Sequence, residues 1–136
     1  MFLDASVIVA NLLEEAEAVA IREALLAESE LVTSPLAMFE ASTRLAAVKR
    51  FSIDDGYQVV RAFLEDADIR IVAIDEEVGR IAHRCAGSYH HSTGHPARLN
   101  MGDCFAYASA RAADVKLAYK GDDFIHTDIE GRQFGS

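Results

Sequence analysis

The sequence predicts an α/β fold built around a parallel β-sheet. Short apolar runs alternate along the chain with longer segments of helical periodicity, and this order is typical of strands joined by crossover helices. With 136 residues, of which 51% are hydrophobic, the chain has the size of one domain and enough apolar residues for one substantial core. We therefore expect a single domain over residues 1–136, with four to five short parallel strands flanked by helices on both faces.

The strands are predicted from short apolar runs. The first run is Met1-Phe2-Leu3, which ends at Asp4. The other expected strands cover residues 31–33, 69–74 and 115–119, with residues 127–129 as a candidate fifth strand at an edge. Right-handed crossovers place the carboxyl ends of all parallel strands on one edge of the sheet. The amino ends of the crossover helices are expected on that same edge.

Helices are predicted from apolar periodicity and from capping residues. Ser34-Pro35 favours a helix start, because a serine cap is followed by proline in the first turn. Asp75 is a similar cap for the helix that follows the third strand. The expected helices are residues 5–13, 15–28, 34–50, one beginning at residues 52–55, one beginning at residue 75, and one over residues 100–113. Residues 87–99 break the periodicity and are expected to form the one substantial loop.

Composition restricts the possible functions. The net charge of −9 makes the field of the molecule repulsive to nucleic acids and anionic membranes, so a nucleic-acid function requires a local basic patch or a bound cation. No apolar run approaches the roughly 18 residues of a membrane span, and the N-terminus lacks the basic segment of a signal peptide. Cys85 and Cys104 have no metal or redox spacing. We therefore expect two buried, reduced thiols and a cytoplasmic protein without membrane contact.

Acidic residues occur at several positions that this topology brings together. Asp4 follows the first strand, Glu40 lies in the first half of the helix after the second strand, and Asp103 lies in the first turn of the last helix. Asp122 and Asp123 follow the fourth strand. All are expected at the carboxyl edge of the sheet, where open α/β sheets bind ligands.

Three of these acids also have ordinary structural explanations. Asp4 is a suitable helix cap. Glu40 is either a partly exposed flank residue or the partner of Arg44 one turn later. Asp103 stands three residues after Asn100, in a variant of the capping box.

Asp122 and Asp123 follow a glycine, as acids in ordinary turns often do. What favours a functional site is the expected convergence of all these carboxylates, because they repel one another unless a cation lies between them. Oxygen ligands without nearby cysteine or suitably spaced histidine favour Mg²⁺ or Mn²⁺ over Zn²⁺. The residues alone therefore predict a divalent-metal site.

Four stretches of the sequence resemble those of one protein family. They are residues 2–6 (FLDAS), 36–41 (LAMFEA), 99–108 (LNMGDCFAYA) and 119–129 (YKGDDFIHTDI). The sequence resembles PIN-domain ribonucleases, and among them the VapC toxins of bacterial and archaeal type II toxin–antitoxin pairs. The resemblance implies a PIN-like fold and Mg²⁺- or Mn²⁺-dependent endonucleolytic cleavage of RNA by a metal-activated water. It also implies inhibition by a VapB-type antitoxin and a homodimer.

The resemblance carries over to individual positions. Asp4, Glu40 and Asp103 match the first three acids of the family's metal and catalytic site, and Ser6 matches a hydroxyl position near the metal. The fourth acid often stands in a Thr-x-Asp pattern before an Asp-Phe pair, but this chain reads Lys-Gly-Asp-Asp-Phe over residues 120–124 and has no such threonine. We expect Asp123 as the fourth acid because it occupies the Asp-Phe position, with Asp122 as the alternate.

Further polar residues are candidate RNA contacts, although each is also an ordinary surface group. Those of the loop over residues 87–99 are His90, His91, His95 and Arg98. The basic candidates for phosphate contacts are Lys49, Arg50, Arg98 and Lys120.

Two alternatives to a nuclease are a receiver-like signalling domain and a catalytically silent PIN-like binding domain. A receiver needs an acid pair after the first strand, a phospho-acceptor aspartate after the third and a lysine after the last. Here the first strand supplies Asp4 alone, and Asp75 heads a helix. The sequence therefore favours the nuclease over the receiver.

Overall fold

The computed structural model describes residues 1–136 and contains a five-stranded sheet. Its strands are β1 (Phe2–Leu3), β2 (Val32–Thr33), β3 (Arg70–Ile71), β4 (Leu117–Tyr119) and β5 (Gly131–Gln133). They lie in the spatial order β3-β2-β1-β4-β5, and every neighbouring pair is parallel. The predicted parallel sheet is confirmed. The strand order reverses between β1 and β4, which is where open α/β sheets form ligand crevices.

Six α-helices accompany the sheet, and their starts follow the predicted capping chemistry. They are α1 (Ala5–Leu12), α2 (Ala18–Ala27), α3 (Pro35–Lys49), α4 (Ile53–Asp66), α5 (Glu76–Tyr89) and α6 (Met101–Ala112). The Ser34 side chain accepts a hydrogen bond from the Ala37 N–H at the start of α3, and Asn100 and Asp103 form a reciprocal capping box at the start of α6. No helix has the length and apolar character needed to cross a membrane.

The core lies on both faces of the sheet. Successive residues of a strand point to opposite faces. Accordingly Leu3 packs in a cluster with side chains of α1 to α4, and Phe2 packs in a second cluster with side chains of α5 and α6. Both are fully buried, which contributes about 1.5 to 3 kcal/mol for each side chain. The expectation of helices on both faces is therefore confirmed.

Three predicted boundaries are wrong. The third strand covers only Arg70–Ile71 instead of residues 69–74, because its single neighbour β2 has two residues. The edge strand is Gly131–Gln133, not residues 127–129, which continue the turn after Phe124. Helix α5 extends to Tyr89, and a 3₁₀ turn at His91–Thr93 follows it, so the predicted loop is shorter.

The direction of α5 also differs from the prediction. The two predicted helices between β3 and β4 are present, but they pack antiparallel: Val78 meets Ala108, while Cys85 lies in the same cluster as Cys104. The N–H of His91 donates to the Leu99 carbonyl oxygen at 2.9 Å, which brings the end of α5 beside the start of α6. Of these two helices, only α6 begins at the carboxyl edge of the sheet, where Asp103 lies near Asp4. Both cysteines are buried free thiols, as expected.

Candidate functional site

Asp4 lies at the reversal point of the sheet, directly after β1. It caps α1, and its Oδ2 accepts hydrogen bonds from the Ser6 N–H at 3.1 Å and from the Ser6 hydroxyl at 2.5 Å. Its side chain is buried, with 9% of the residue exposed. Burial raises the pKa of Asp4, and the Ser6 hydrogen bonds oppose that rise. The cap interpretation is therefore correct, but a buried carboxylate without a cationic partner is more than a cap needs.

Ser6 connects the two strands that flank the reversal point. Its hydroxyl donates to Asp4 and accepts a hydrogen bond from the Lys120 N–H, directly after β4, at 3.0 Å. One side chain thus fixes the Asp4 carboxylate and ties it to the segment that carries Asp122 and Asp123. This position beside Asp4 agrees with the resemblance, in which Ser6 matches a hydroxyl near the metal.

Glu40 reaches the same region from α3. It makes no salt bridge, so the expected pairing with Arg44 is absent. Its carboxylate rests on the backbone of Gly102: a Cβ atom built on that glycine would lie 2.8 Å from Oε1 and still closer to Oε2. Burial and the nearby charge of Asp4 raise the pKa of Glu40 to about 7. The Glu40 carboxylate is therefore packed against α6 at Gly102, the residue that precedes Asp103.

Asp103 takes part in the capping box of α6 and also lies near the other acids. Its Oδ2 accepts a hydrogen bond from the Asn100 N–H at 3.0 Å, and its own N–H donates to Asn100 Oδ1 at 2.9 Å. Burial raises the pKa of Asp103 to about 7 despite the Asn100 hydrogen bond, and the charges of Asp123, Asp4 and Glu40 add to the rise. The capping box and the shared carboxylate cluster are therefore compatible.

The two candidates for the fourth acid have different surroundings. Asp122 Oδ1 accepts a hydrogen bond from Gln133 Nε2 at 2.9 Å, which directs it toward β5. Asp123 is exposed, and its charge raises the pKa values of both Asp4 and Asp103. Of the two, Asp123 is the one coupled electrostatically to the other acids.

This acidic cluster, Asp4, Glu40, Asp103 and Asp123, has no protein cation. None of its four members takes part in a salt bridge. As the side chains stand, no three metal-binding groups are close enough to hold an ion, so a metal would require them to draw together. Neighbouring carboxylates have the oxygen donor atoms and the negative charge that suit Mg²⁺ or Mn²⁺. The donor set therefore fits a hard divalent cation.

The other candidate contacts have mixed outcomes. The Lys120 ammonium lies 2.6 Å from Glu15 and 3.1 Å from Glu17, so two protein carboxylates neutralise it, which disfavours Lys120 as a phosphate contact. His90 and His95 use their Nδ1 atoms within the loop: Ser92 N–H donates to the first and Ala97 N–H to the second. Lys49, Arg50 and Arg98 are exposed and make no salt bridge.

Sequence reasoning overlooked the contact surface that Gly102 offers Glu40. The available signal was a glycine placed in the first turn of a helix, between the cap and an acid, where glycine weakens the helix. A glycine at such a position is consistent with close approach by another group.

Comparison with known proteins agrees with this geometry. The sequence model of the PIN domain matches residues 1–130. A VapC ribonuclease of Rhizobium meliloti (strain 1021) is 37% identical over 139 residues, and the alignment covers 94% of this chain and 98% of that protein. The chain belongs to the PIN-domain family of VapC ribonucleases. Ribonuclease VapC42 of Mycobacterium tuberculosis (strain H37Rv) is 35% identical to this PIN domain over 132 residues, covering 95% of this chain and 96% of that protein.

Solved structures show the same fold. A toxin–antitoxin complex from Klebsiella pneumoniae contains a chain that superposes on this PIN domain with a TM-score of 0.68 at 17% identity, covering 93% of this chain and 92% of that one. The VapC20 toxin of Mycobacterium tuberculosis, which cleaves the sarcin–ricin loop, gives a TM-score of 0.65 at 16% identity, with 90% of each chain covered. The predicted PIN-like fold is confirmed, and the receiver-like alternative is wrong.

Proposed function

We propose that this chain is the toxin of a type II toxin–antitoxin pair and cleaves RNA phosphodiester bonds endonucleolytically with Mg²⁺ or Mn²⁺. The observation that carries the proposal is the coupling of Asp4, Glu40 and Asp103. These acids come from distant parts of the sequence and meet near the reversal point of the sheet. Burial raises the pKa values of Glu40 and Asp103, the charge of Asp4 adds to both rises, and no protein cation opposes them. Relatives of similar length that are at least 30% identical are named ribonucleases, which supports the same activity here.

Asp4 and Asp103 would hold the cation directly, because both are fixed by hydrogen bonds to their own helix starts. Glu40 and Asp123 would complete the site through water or through a second ion. When bound, the cation would lower the pKa of water and stabilise negative charge on the phosphoryl oxygens. The Ser6 hydroxyl would keep the Asp4 carboxylate oriented toward it.

Glu40 is the proposed proton acceptor. In the metal-free chain, burial and the charge of Asp4 raise its pKa to about 7, so this carboxylate can bind a proton close to neutral pH. It is half-buried and makes no salt bridge, so its carboxylate is available to receive a proton from an attacking water. Glu40→Gln would keep the shape of the side chain and remove that capacity.

The experiment is cleavage of a labelled single-stranded RNA with Mg²⁺ or Mn²⁺ by the purified chain. We expect Asp4→Asn and Asp103→Asn to lower the rate by about 10² or more, since removing one electrostatic group from an active site has effects of that order. The matched control is Asp68→Asn, which changes the same charge at an exposed position outside the acidic cluster. Undiminished cleavage by Asp4→Asn or Asp103→Asn, or none by the wild type, would overturn the proposal and favour a catalytically silent PIN-like binding domain.

The proposed partners are a VapB-type antitoxin and a second copy of this chain. One of the solved structures with the same fold is a toxin–antitoxin complex, which supports the first partner. We expect a purified antitoxin from the same operon to stop cleavage at a stoichiometric ratio, and light scattering of the chain alone to give the mass of a dimer. Cleavage that continues at excess antitoxin, or a monomer mass at micromolar concentration, would contradict the respective part.

A further inference from the structure

A group of arginines on the α5–α6 face is available to a ligand. Six of the 13 basic residues form salt bridges. Arg80 and Arg84 are exposed, lie one turn apart on α5, and are not among those six. Both line a cavity of about 340 Å³ between α5 and α6. Two unpaired guanidinium groups at this spacing repel each other, and a bound anion would relieve the repulsion.

The third arginine of this cavity, Arg111, is held in place from α6. Its Nη2 donates to the Tyr107 hydroxyl at 2.9 Å and lies 3.3 Å from Asp128 Oδ1. The Tyr107 hydroxyl in turn donates to the same Asp128 oxygen at 2.6 Å. The cavity therefore contains three guanidinium groups against the one carboxylate of Asp128, a net positive site on a protein of net charge −9.

The chemistry of the cavity favours a phosphate. Guanidinium groups present paired N–H donors that match phosphate oxygens, and arginine is the usual choice where such recognition matters. The Tyr107 hydroxyl and the Ser88 side chain add polar groups to the same lining. A positive cavity on an acidic nuclease is also the local basic patch that binding of RNA requires.

The cavity is linked to the acidic cluster by α6. Asp103, Tyr107 and Arg111 are spaced four residues apart, so they follow one side of the helix. The eight residues from Asp103 to Arg111 correspond to about 12 Å along the axis, at a rise of about 1.5 Å per residue. Tyr107 is buried, so an RNA strand would pass over the neighbouring surface and not along α6 itself. Its path would take at least about four nucleotides, at about 3.4 Å for each stacked nucleotide.

We propose that Arg80, Arg84 and Arg111 form a subsite for a backbone phosphate of the RNA strand, separate from the acidic cluster at which cleavage takes place. The subsite rests on the proposed ribonuclease function and extends it. It accounts for how a protein with strong net negative charge holds a polyanion, and it requires a substrate long enough to reach from the acidic cluster to the cavity.

The test combines binding with cleavage. Anisotropy with a labelled 16-nucleotide RNA in EDTA measures binding without cleavage, and kcat/KM is measured with Mn²⁺ for that RNA and for a dinucleotide. We expect Arg80→Gln with Arg84→Gln to weaken binding of the long RNA by about 10-fold and to reduce the slope of log K against log salt by about 1.4, which is the loss of two phosphate contacts. The dinucleotide kcat/KM should not change, because a dinucleotide is too short to reach the cavity, and Arg80→Lys with Arg84→Lys should retain most of the salt slope.

The matched control is Arg61→Gln with Arg70→Gln, which removes the same charge from two exposed arginines outside the cavity. Equal salt slopes for the control and the Arg80/Arg84 variant would overturn the subsite, even if the wild type cleaves RNA. Binding that depends on the two arginines in a protein that cleaves nothing would support the subsite and reject the nuclease. Arginine-dependent binding of AMP, without any effect on RNA, would overturn the RNA assignment in favour of a free nucleotide.

Discussion

The Asp103 carboxylate has two opposing effects on the stability of the metal-free chain. Asp103 stabilises the start of α6 through the capping box, yet its pKa is raised to about 7 by burial and by neighbouring acids. A raised pKa means that the ionised form is destabilised in the folded chain. The ionised Asp103 therefore lowers the free energy of unfolding of the metal-free protein, and a bound divalent cation would remove this destabilisation.

Asp103→Asn should for this reason stabilise the metal-free protein. We expect a gain of about 1 to 3 kcal/mol at pH 8, from a shift of about 1.4 kcal/mol per pKa unit, less the few tenths of a kcal/mol lost at the helix start. The amide still accepts the Asn100 hydrogen bond. Urea denaturation in EDTA measures the change, and the Mn²⁺-induced rise in Tm should disappear. A variant less stable than the wild type in EDTA would show that Asp103 is mainly a cap.

Replacement of Ser6 should show whether its hydroxyl orients the Asp4 carboxylate for metal binding in addition to stabilising the fold. Ser6→Ala leaves the Lys120 N–H without its acceptor and the Asp4 carboxylate without its hydroxyl donor. We expect a loss of about 1 to 3 kcal/mol in stability and a Kd for Mn²⁺ raised by about 10-fold or more, the usual effect of removing a group that orients a metal ligand. Titration calorimetry on protein that is fully folded at 15 °C checks the second effect, and an unchanged Kd would contradict it.

At the scale of elements, α6 depends on the absence of one side chain. The Glu40 carboxylate occupies the space that a Cβ on Gly102 would fill. Because the obstructing atoms are the end of a flexible side chain, an added methyl group would displace Glu40 instead of unfolding the helix.

Gly102→Ala should consequently lower activity without lowering stability. Alanine gains up to about 1 kcal/mol over glycine inside a helix, so Tm should stay level or rise, whereas RNA cleavage should fall about 10-fold or more as Glu40 moves. The matched control is Gly79→Ala on α5, where nothing lies within 4 Å of the added atom. It should gain stability and retain full activity. Equal activity of the two variants would show that the position of Glu40 is unimportant.

The elements differ in how far the sequence predicts them. Helix starts at Ser34-Pro35 and Asn100 are predictable because a few adjacent residues supply the caps. The bounds of β3 and β5 are not, because strands of two or three residues end where the neighbouring strand ends. Gly131 lies in β5 at a position where a Cβ would meet the Leu117 carbonyl oxygen at 2.8 Å. That constraint comes from the partner strand and leaves no periodic pattern.

At the scale of the whole molecule, the order of the strands brings the members of the acidic cluster together. The reversal between β1 and β4 brings Asp4 beside the segment with Asp123, and this could be predicted from the alternation of strands and helices. The arginine cavity could not, because Arg80 and Arg111 come together only through the antiparallel packing of α5 on α6. Sequence spacing does not reveal the direction in which two helices pack.

The whole-molecule prediction concerns pH. Glu40 and Asp103 have pKa values near 7 in the folded chain, against ordinary values of 4.5 and 3.8. Between these limits the unfolded chain has released protons that the folded chain still binds, so the free energy of unfolding should decrease as pH rises from about 5 to 8 in EDTA. Groups with lowered pKa, such as Asp128, act below this range.

The decrease with pH should become smaller in Glu40→Gln with Asp103→Asn, and the raised pKa of Asp4 should account for what remains. Saturating Mn²⁺ should reverse the decrease in the wild type, because metal binding requires deprotonated ligands. Urea denaturation at pH 5, 6, 7 and 8 measures all three cases. A wild type whose stability in EDTA is constant or rises over this range would contradict the electrostatic coupling of the acids.

The central claim is that the acidic cluster is a divalent-metal site. The most direct measurement is the anomalous difference map of crystals of the wild-type chain grown with Mn²⁺. We expect a peak in contact with carboxylate oxygens of Asp4 and Asp103, and no such peak in crystals of Asp103→Asn. A map without a peak at these residues, from crystals in which Mn²⁺ is bound elsewhere or nowhere, would contradict it.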